Sequence, residues 1–411
     1  MVIAPAPATP YHRLAASRWW RSVLGTLYIV VSGVVIAIFG LLAVTVAATL
    51  AGQPEDADGI PSFGPLVTLA MSFLLIAALL PMTLTAAVWI QRRPAGTLSS
   101  VTGKLRRRWL LTCLPVAAVA IVVFLGAGMG FAAATGEDLG LDDALAGWGP
   151  FLGTTLVLLL VVPPQAAAEE YLMRGWLLQA FGTVRPWLPI AVQAVVFASL
   201  HGWGTPWGFA DLVVFGMVAG FLTVRTGGLE AAIALHVMNN LIGSGLAAAY
   251  GDLSMDETAA DMPWPMAVVD LPVLLGYAWV VLRLARRRQI ATVVPEGAFP
   301  PPPPPPWIPS QFGPGWLPPV QPGLPPMAPY PSAASSPSAA SSPSAASSPS
   351  AASSPSAASS PSAASSPSAA SSPSATSSPS VASPPLEPSP WARETGDPGL
   401  GGASASRTDK T

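Results

Sequence analysis

Residues 151–174 read FLGTTLVLLLVVPPQAAAEEYLMR, an uncharged apolar run that closes on Glu169, Glu170 and Arg174. The run is long enough to cross a ~30 Å hydrocarbon core, which takes about 20 helical residues. Its inner end carries two acids and a base at a depth where an ionised side chain is costly. Such groups are expected to face a protein interior or a water-filled cavity, and to serve a function. One stretch therefore predicts both a membrane helix and the place where chemistry belongs.

The pattern repeats on either side. Hydrophobic residues make up 51% of the chain and charged residues 10%, and residues 289–411 hold little of the apolar content. Candidate spans run from Val23 to Leu50, Leu66 to Ile90, Trp109 to Ala134, Phe151 to Phe181, Trp187 to Trp203, Gly208 to Val224, Leu229 to Ala249 and Pro265 to Leu284. The expected fold is all-α, a polytopic membrane bundle of about eight transmembrane helices with a disordered tail. Its expected divisions are an N-terminal segment 1–21, a helical domain 22–288 with its core at 151–249, and a low-complexity tail 289–411.

Charge sets the orientation. Arg13/Arg18/Arg21, Arg92/Arg93 with Lys104/Arg106/Arg107/Arg108, Arg185, Arg225 and Arg286/Arg287/Arg288 fall at alternate span ends, as the positive-inside rule expects of cytoplasmic loops. The other loops carry Glu55/Asp56/Asp58, Glu137/Asp138/Asp142/Asp143 and Asp252/Asp256/Glu257/Asp261. N-terminus and tail are thus expected in the cytoplasm of a cell-membrane protein. The net charge of −2 and the short arginine clusters offer no nucleic-acid face. The apolar stretch after Arg21 is too long for a signal-peptide core and reads as an uncleaved first span. Cys113, the single cysteine, excludes an intrachain disulfide and reads as a small core hydrophobe.

Beyond Arg288 come a proline run, Pro300–Pro306, and a Pro-Ser-Ala-Ala-Ser-Ser hexad repeated from Pro331 with a variant at Thr376. Without apolar side chains to offset the entropy of ordering, this segment is expected to be a disordered tether. The sharper alternative is a ligand for a polyproline-recognising partner.

Polar groups within the spans gather at Glu169/Glu170/Arg174, at His201 and at His236/Asn240, and only His12 among the histidines lies elsewhere. Glu170 and Arg174 are i and i+4 on a helix with the acid first, the favourable order for an ion pair. Glu169 lies ~100° around the helix from Glu170 and is left as the candidate reactive carboxylate. Glu169 and His201 are each sixteen residues from Arg185, in the turn 182–186. A helical hairpin would set both ~24 Å from that turn. Pro163 and Pro164 are expected to break or kink the span before Glu169. His236 should lie only ~15 Å from the Gly227-Gly228 turn, so the depths agree if the Glu169 hairpin extends about two turns further. Asn240 shares a helix face with His236. The bland alternative for each group is a buried ion network or an inter-helix hydrogen bond.

Glu169-Glu170-Tyr171-Leu172-Met173-Arg174, Phe197-Ala198-Ser199-Leu200-His201 and His236-Val237-Met238-Asn239-Asn240 resemble the E-E-x-x-x-R, F-x-x-x-H and H-x-x-x-N motifs of the CPBP intramembrane proteases. That family includes CAAX prenyl endopeptidases of the Rce1 type and bacteriocin-processing or immunity relatives. The resemblance covers roughly Phe151 to Ala249. It implies an endopeptidase in which Glu169 and His201 activate water and His236 and Asn240 stabilise the oxyanion. Glu170 and Arg174 would be structural partners.

Peptide hydrolysis needs a deprotonated water at the carbonyl and donors at the oxygen that becomes negative, and these residue types supply both. One carboxylate and two histidines, Glu169, His201 and His236, also make a zinc set with an open position for water. No H-E-x-x-H occurs in the chain, and the metal-free and zinc readings both stay open. A non-catalytic membrane protein, binding a ligand or acting in immunity or as a scaffold through the same polar pocket, is the second class. A transporter is weaker, since no inverted repeat or paired broken helices are seen. High alanine, glycine and proline content points to a GC-rich bacterial genome. The expected substrate there is a peptide or membrane protein reached from the cytoplasmic side, within the lipid bilayer.

Overall fold

In the computed structural model the described residues are 5–15, 19–56, 59–137, 144–182, 185–251, 253 and 258–299. Arg18, Asp58, Asp138, Asp142, Asp143, Asp252, Asp256, Glu257 and the tail from Pro300 lie outside them.

Eight apolar helices account for the described chain: α1 Trp19–Leu50, α2 Pro65–Ile90, α3 Arg107–Thr135, α4 Trp148–Ala180, α5 Trp187–Leu200, α6 Pro206–Thr226, α7 Glu230–Tyr250 and α8 Trp264–Arg287. Seven are long and apolar enough to cross a membrane; α5, with 14 residues, is not. The protein is a multi-pass membrane protein. Its outer surface is apolar where water would demand polarity, with Phe39, Val119 and Leu160 each more than 60% exposed. Exposed tryptophans mark the helix starts at Trp19, Trp148, Trp187 and Trp207, the interfacial placement their amphipathic rings favour.

The sequence-expected span to Trp203 is cut short by glycine and proline. Gly202 and Gly204 adopt φ of 96° and 39°, which side-chain-bearing residues rarely take. Pro206 then occupies the first turn of α6, and the Thr205 hydroxyl caps it by accepting from Gly208 N–H at 2.9 Å. α5 is instead pinned sideways to α6. Gln193, fully buried, donates to the carbonyls of Ile190 at 2.8 Å and Gly216 at 2.7 Å. A Cβ on Gly216 would fall 2.8 Å from the Ala194 Cα, so glycine is what lets these helices approach.

α7 packs between α3 and α4, and α8 packs on α3 and α6. The end of the bundle where α1 begins and α8 ends is closed by a polar cap. It is built from residues 5–15, 91–106 and 288–299. Ala8 N–H donates to Val294 O at 2.9 Å, and the Tyr11 hydroxyl donates to Leu98 O. Burial pulls the Arg93 guanidinium down to about 10; it donates to Gln179 at 2.7 Å and Gln91 at 2.6 Å. Arg106 grips the fully buried Glu230, with Nε on Oε1 at 2.8 Å and Nη2 on Oε2 at 2.6 Å, and so ties the cap to the first turn of α7. Two basic residues read as orientation markers are thus also structural. The tail boundary moves as well: Val294 is 3% exposed, so residues 289–299 belong to the packed body up to the limit of the described chain.

Candidate active site

α4 runs through Pro163 and Pro164 without the break that was one of the two expected outcomes. Its irregularity comes later, as a π-helical turn at Tyr171–Leu177 immediately after the two glutamates. Such turns are rare and concentrate at functional sites. The Tyr171 hydroxyl bonds Ser99 Oγ at 2.7 Å, while Ser99 O accepts from Leu229 N–H at 3.0 Å. Tyr171 is therefore level with the start of α7, and the rest of α4 continues into the cap. This extension brings Glu170 and His236 to one depth despite their unequal distances from their turns.

Glu170 and Arg174 pair as their spacing predicts, Nη1 to Oε1 at 2.9 Å, with both side chains fully buried. The same carboxylate oxygen holds His236 Nδ1 at 2.8 Å. Glu169 has a different environment: Oε1 accepts from Gln165 Nε2 at 2.7 Å, and Oε2 faces His236 Nε2 at 3.6 Å, beyond hydrogen-bond length. Gln165 Oε1 in turn accepts from Asn240 Nδ2 at 3.1 Å. Oε2 of Glu169 is buried without a hydrogen-bond partner. Oε1 of Glu170 is clamped by two partners and Oε1 of Glu169 by one neutral amide, and each carboxylate keeps an Oε2 without a hydrogen-bond partner.

His201 caps the C-terminus of α5 with Nδ1 at 2.9 Å from Phe197 O, which leaves Nε2 as the nitrogen available to a ligand. No hydrogen bond or ion pair joins it to Glu169 among the described residues; His236 is the nearer partner. Phe197 forms the wall between the histidines, its ring centroid 4.5 Å from His201 and 5.8 Å from His236, with the Arg174 guanidinium 4.4 Å above it. His201, His236, Asn239 and Asn240 then line one cavity of about 50 Å³. That is room for one or two waters at ~30 Å³ each. Ala259 and Met262, from the end opposite the cap, complete its rim.

The zinc set Glu169, His201 and His236 does not fit this arrangement. No three His, Cys, Asp or Glu side chains group as metal donors among the described residues. No step is therefore routed through a metal. Sequence reasoning missed Gln165, although a polar residue one turn before Glu169 in an apolar run was a visible signal. It also passed over Asp211 and Asp270, single acids within spans that line the same cavity.

A family model described as Type II CAAX prenyl endopeptidase Rce1-like matches residues 150–242. The uncharacterized protein YyaK of Bacillus subtilis (strain 168) is 27% identical over 199 residues, which cover 45% of this chain and 63% of that relative. The chain thus spans less than two thirds of that relative's length. No solved structure matches. The matched segment contains the glutamate pair, both histidines and Asn240, and over residues 150–242 the chain is similar to the Rce1-like family.

Proposed function

We propose that the protein is an intramembrane endopeptidase that hydrolyses a peptide bond of a peptide or membrane-protein substrate with water activated by Glu169. The observation that carries this reading is the unequal treatment of the two glutamates: Oε1 of Glu170 is held by the Arg174 guanidinium and by His236, while Glu169 is oriented by an uncharged amide and turns its unpartnered Oε2 toward Nε2 of His236, 3.6 Å away, on a residue that lines a water-sized cavity. Water bound there loses a proton to Glu169 as its oxygen attacks the carbonyl carbon. His201, across the cavity, holds the water's other side. The second N–H of Asn240 donates to the oxyanion, and so does Nε2–H of His236 in its imidazolium form, since Nδ1–H is held by Glu170; loss of such a contact costs about 3 kcal/mol of barrier. Glu169 then delivers its proton to the leaving nitrogen as the C–N bond breaks.

The capped end carries the arginine clusters, which supports a cytoplasmic orientation for it in a cell membrane. The substrate then reaches the cavity from the opposite end or laterally from the bilayer, instead of from the cytoplasmic side. The test compares membrane peptides of cells making the wild type with cells making Glu169→Gln, followed by cleavage of the peptides so found by purified variants. Glu169→Ala and His201→Ala are expected to abolish cleavage while eluting as folded protein. Cleavage by both at the wild-type rate refutes the assignment.

A further inference from the structure

Asp211 of α6 and Asp270 of α8 meet on the wall of the cavity that His201, His236 and Asn240 line. They are 7% and 5% exposed, and their carboxyl groups stand within hydrogen-bond reach of each other. The other buried acids of the bundle are matched by arginine: Glu170 by Arg174, Glu230 by Arg106. No ion pair reaches Asp211 or Asp270 among the described residues, and apart from the neighbouring carboxyl group Asp270 Oδ1 has no hydrogen-bond partner. A pair of acids held together without a cation in a membrane interior is expensive, and such groups mark ligand or ion paths.

We infer that Asp211 and Asp270 form a subsite for a primary ammonium group of the substrate, a lysine side chain or a free α-amino terminus next to the bond that is cut. Size supports an ammonium, since the cavity holds about 50 Å³ and a terminal –NH₃⁺ is close to a water molecule in bulk. Its three donors match the acceptors presented here, where Asp270 Oδ1 receives no hydrogen bond from any group other than the neighbouring carboxyl. The inference rests on the protease reading for the word substrate, but the recognition itself does not require turnover.

The test is a binding measurement in lipid nanodiscs with Glu169→Gln protein. Three fluorescent alanine/leucine peptides of one length serve as probes. The first has a central lysine with both ends blocked, the second has norleucine there with both ends blocked, and the third has norleucine with a free N-terminus. A charge-assisted hydrogen bond supports an expected preference of about tenfold or more for an ammonium-bearing peptide over the blocked norleucine peptide. The first and third probes tell side chain from terminus. Asp270→Asn and Asp211→Asn, which keep shape, should each bring the preference within about threefold of unity. The comparison among peptides on the unsubstituted pair stands even if a variant fails to fold. Equal binding of all three peptides, or a preference that survives both substitutions, overturns the subsite, as does micromolar calcium or zinc binding that the substitutions abolish while the peptides bind alike. Lysine preference without cleavage of any peptide by the wild type counts against the protease reading alone; cleavage without preference counts against the subsite alone.

Discussion

Replacing each of the two adjacent glutamates by glutamine should separate stability from chemistry. Glu170 is fully buried and accepts from Arg174 at 2.9 Å and His236 at 2.8 Å. A hydrogen bond to a charged group contributes about 1.5–3 kcal/mol, and removing one partner of a buried ion pair costs about 3–5 kcal/mol because the other charge is stranded. Glu170→Gln leaves Arg174 in that state, so its expected loss is about 3–5 kcal/mol. Glu169 keeps a side-chain exposure of 15% and one bond from a neutral amide, so Glu169→Gln should change stability by about 1 kcal/mol or less. Unfolding of purified protein in mixed micelles, followed by tryptophan fluorescence, measures both. Adding Arg174→Met to Glu170→Gln should recover part of the loss, since the double variant buries no unpaired charge. The reasoning is refuted if the two glutamine variants are equally destabilised, or if Glu170→Gln stays within about 1 kcal/mol of the wild type.

Three further outcomes follow from the same geometry. Gln165→Leu should lower kcat about 10- to 100-fold with little change in KM, because Glu169 and Asn240 lose their common anchor; 1.36 kcal/mol per decade makes this about 1.4–2.7 kcal/mol of barrier. Steady-state cleavage kinetics decide it, and an unchanged kcat counts against any positioning role. Gly216→Leu should cost about 1–3 kcal/mol by forcing α6 from Ala194, and should lower activity by moving His201, whereas Gly243→Ala, whose Cβ meets nothing within 4 Å, should do neither. Elemental analysis of purified protein should find zinc well below stoichiometry and cleavage indifferent to chelators; stoichiometric zinc that restores chelated enzyme would sink the metal-free reading.

The helices and their order were legible because each long apolar run has a membrane's length, and the ion pair was legible because i,i+4 spacing is a local property. What the sequence hid was non-local. Arg93 and Arg106 read as loop charges, and only the folded cap shows them bonded to Gln179 and Glu230, far along the chain. Asp211 and Asp270 are 59 residues apart, and each alone in its span looked incidental until α6 and α8 packed together. Depth arithmetic paired Glu169 with His201, whereas the π turn and the extension of α4 into the cap gave its nearest histidine contact to His236 instead.

The shortness of α5 explains how water can reach such a site at all. Fourteen residues rise ~21 Å, less than the ~30 Å hydrocarbon core, so His201 and the glycine turn after it sit at a depth where irregular backbone must find its partners inside the protein. Those partners come from the segment before α8: Thr205 N–H donates to Ala260 O at 2.8 Å and the Thr205 hydroxyl donates to Met262 O at 2.6 Å. Gly204 and Gly208 have no side chain, and a Cβ on either would strike Ala260 O at 2.1 or 2.2 Å, so this close seat for the covering loop depends on them. The covering loop then supplies Ala259 and Met262 to the cavity rim, facing away from the sealed cap. A bundle with a full-length fifth span would bury His201 in a dry helix. Ending that helix early puts a histidine, a water-sized space and two unmatched acids together beneath a loop whose backbone is already satisfied.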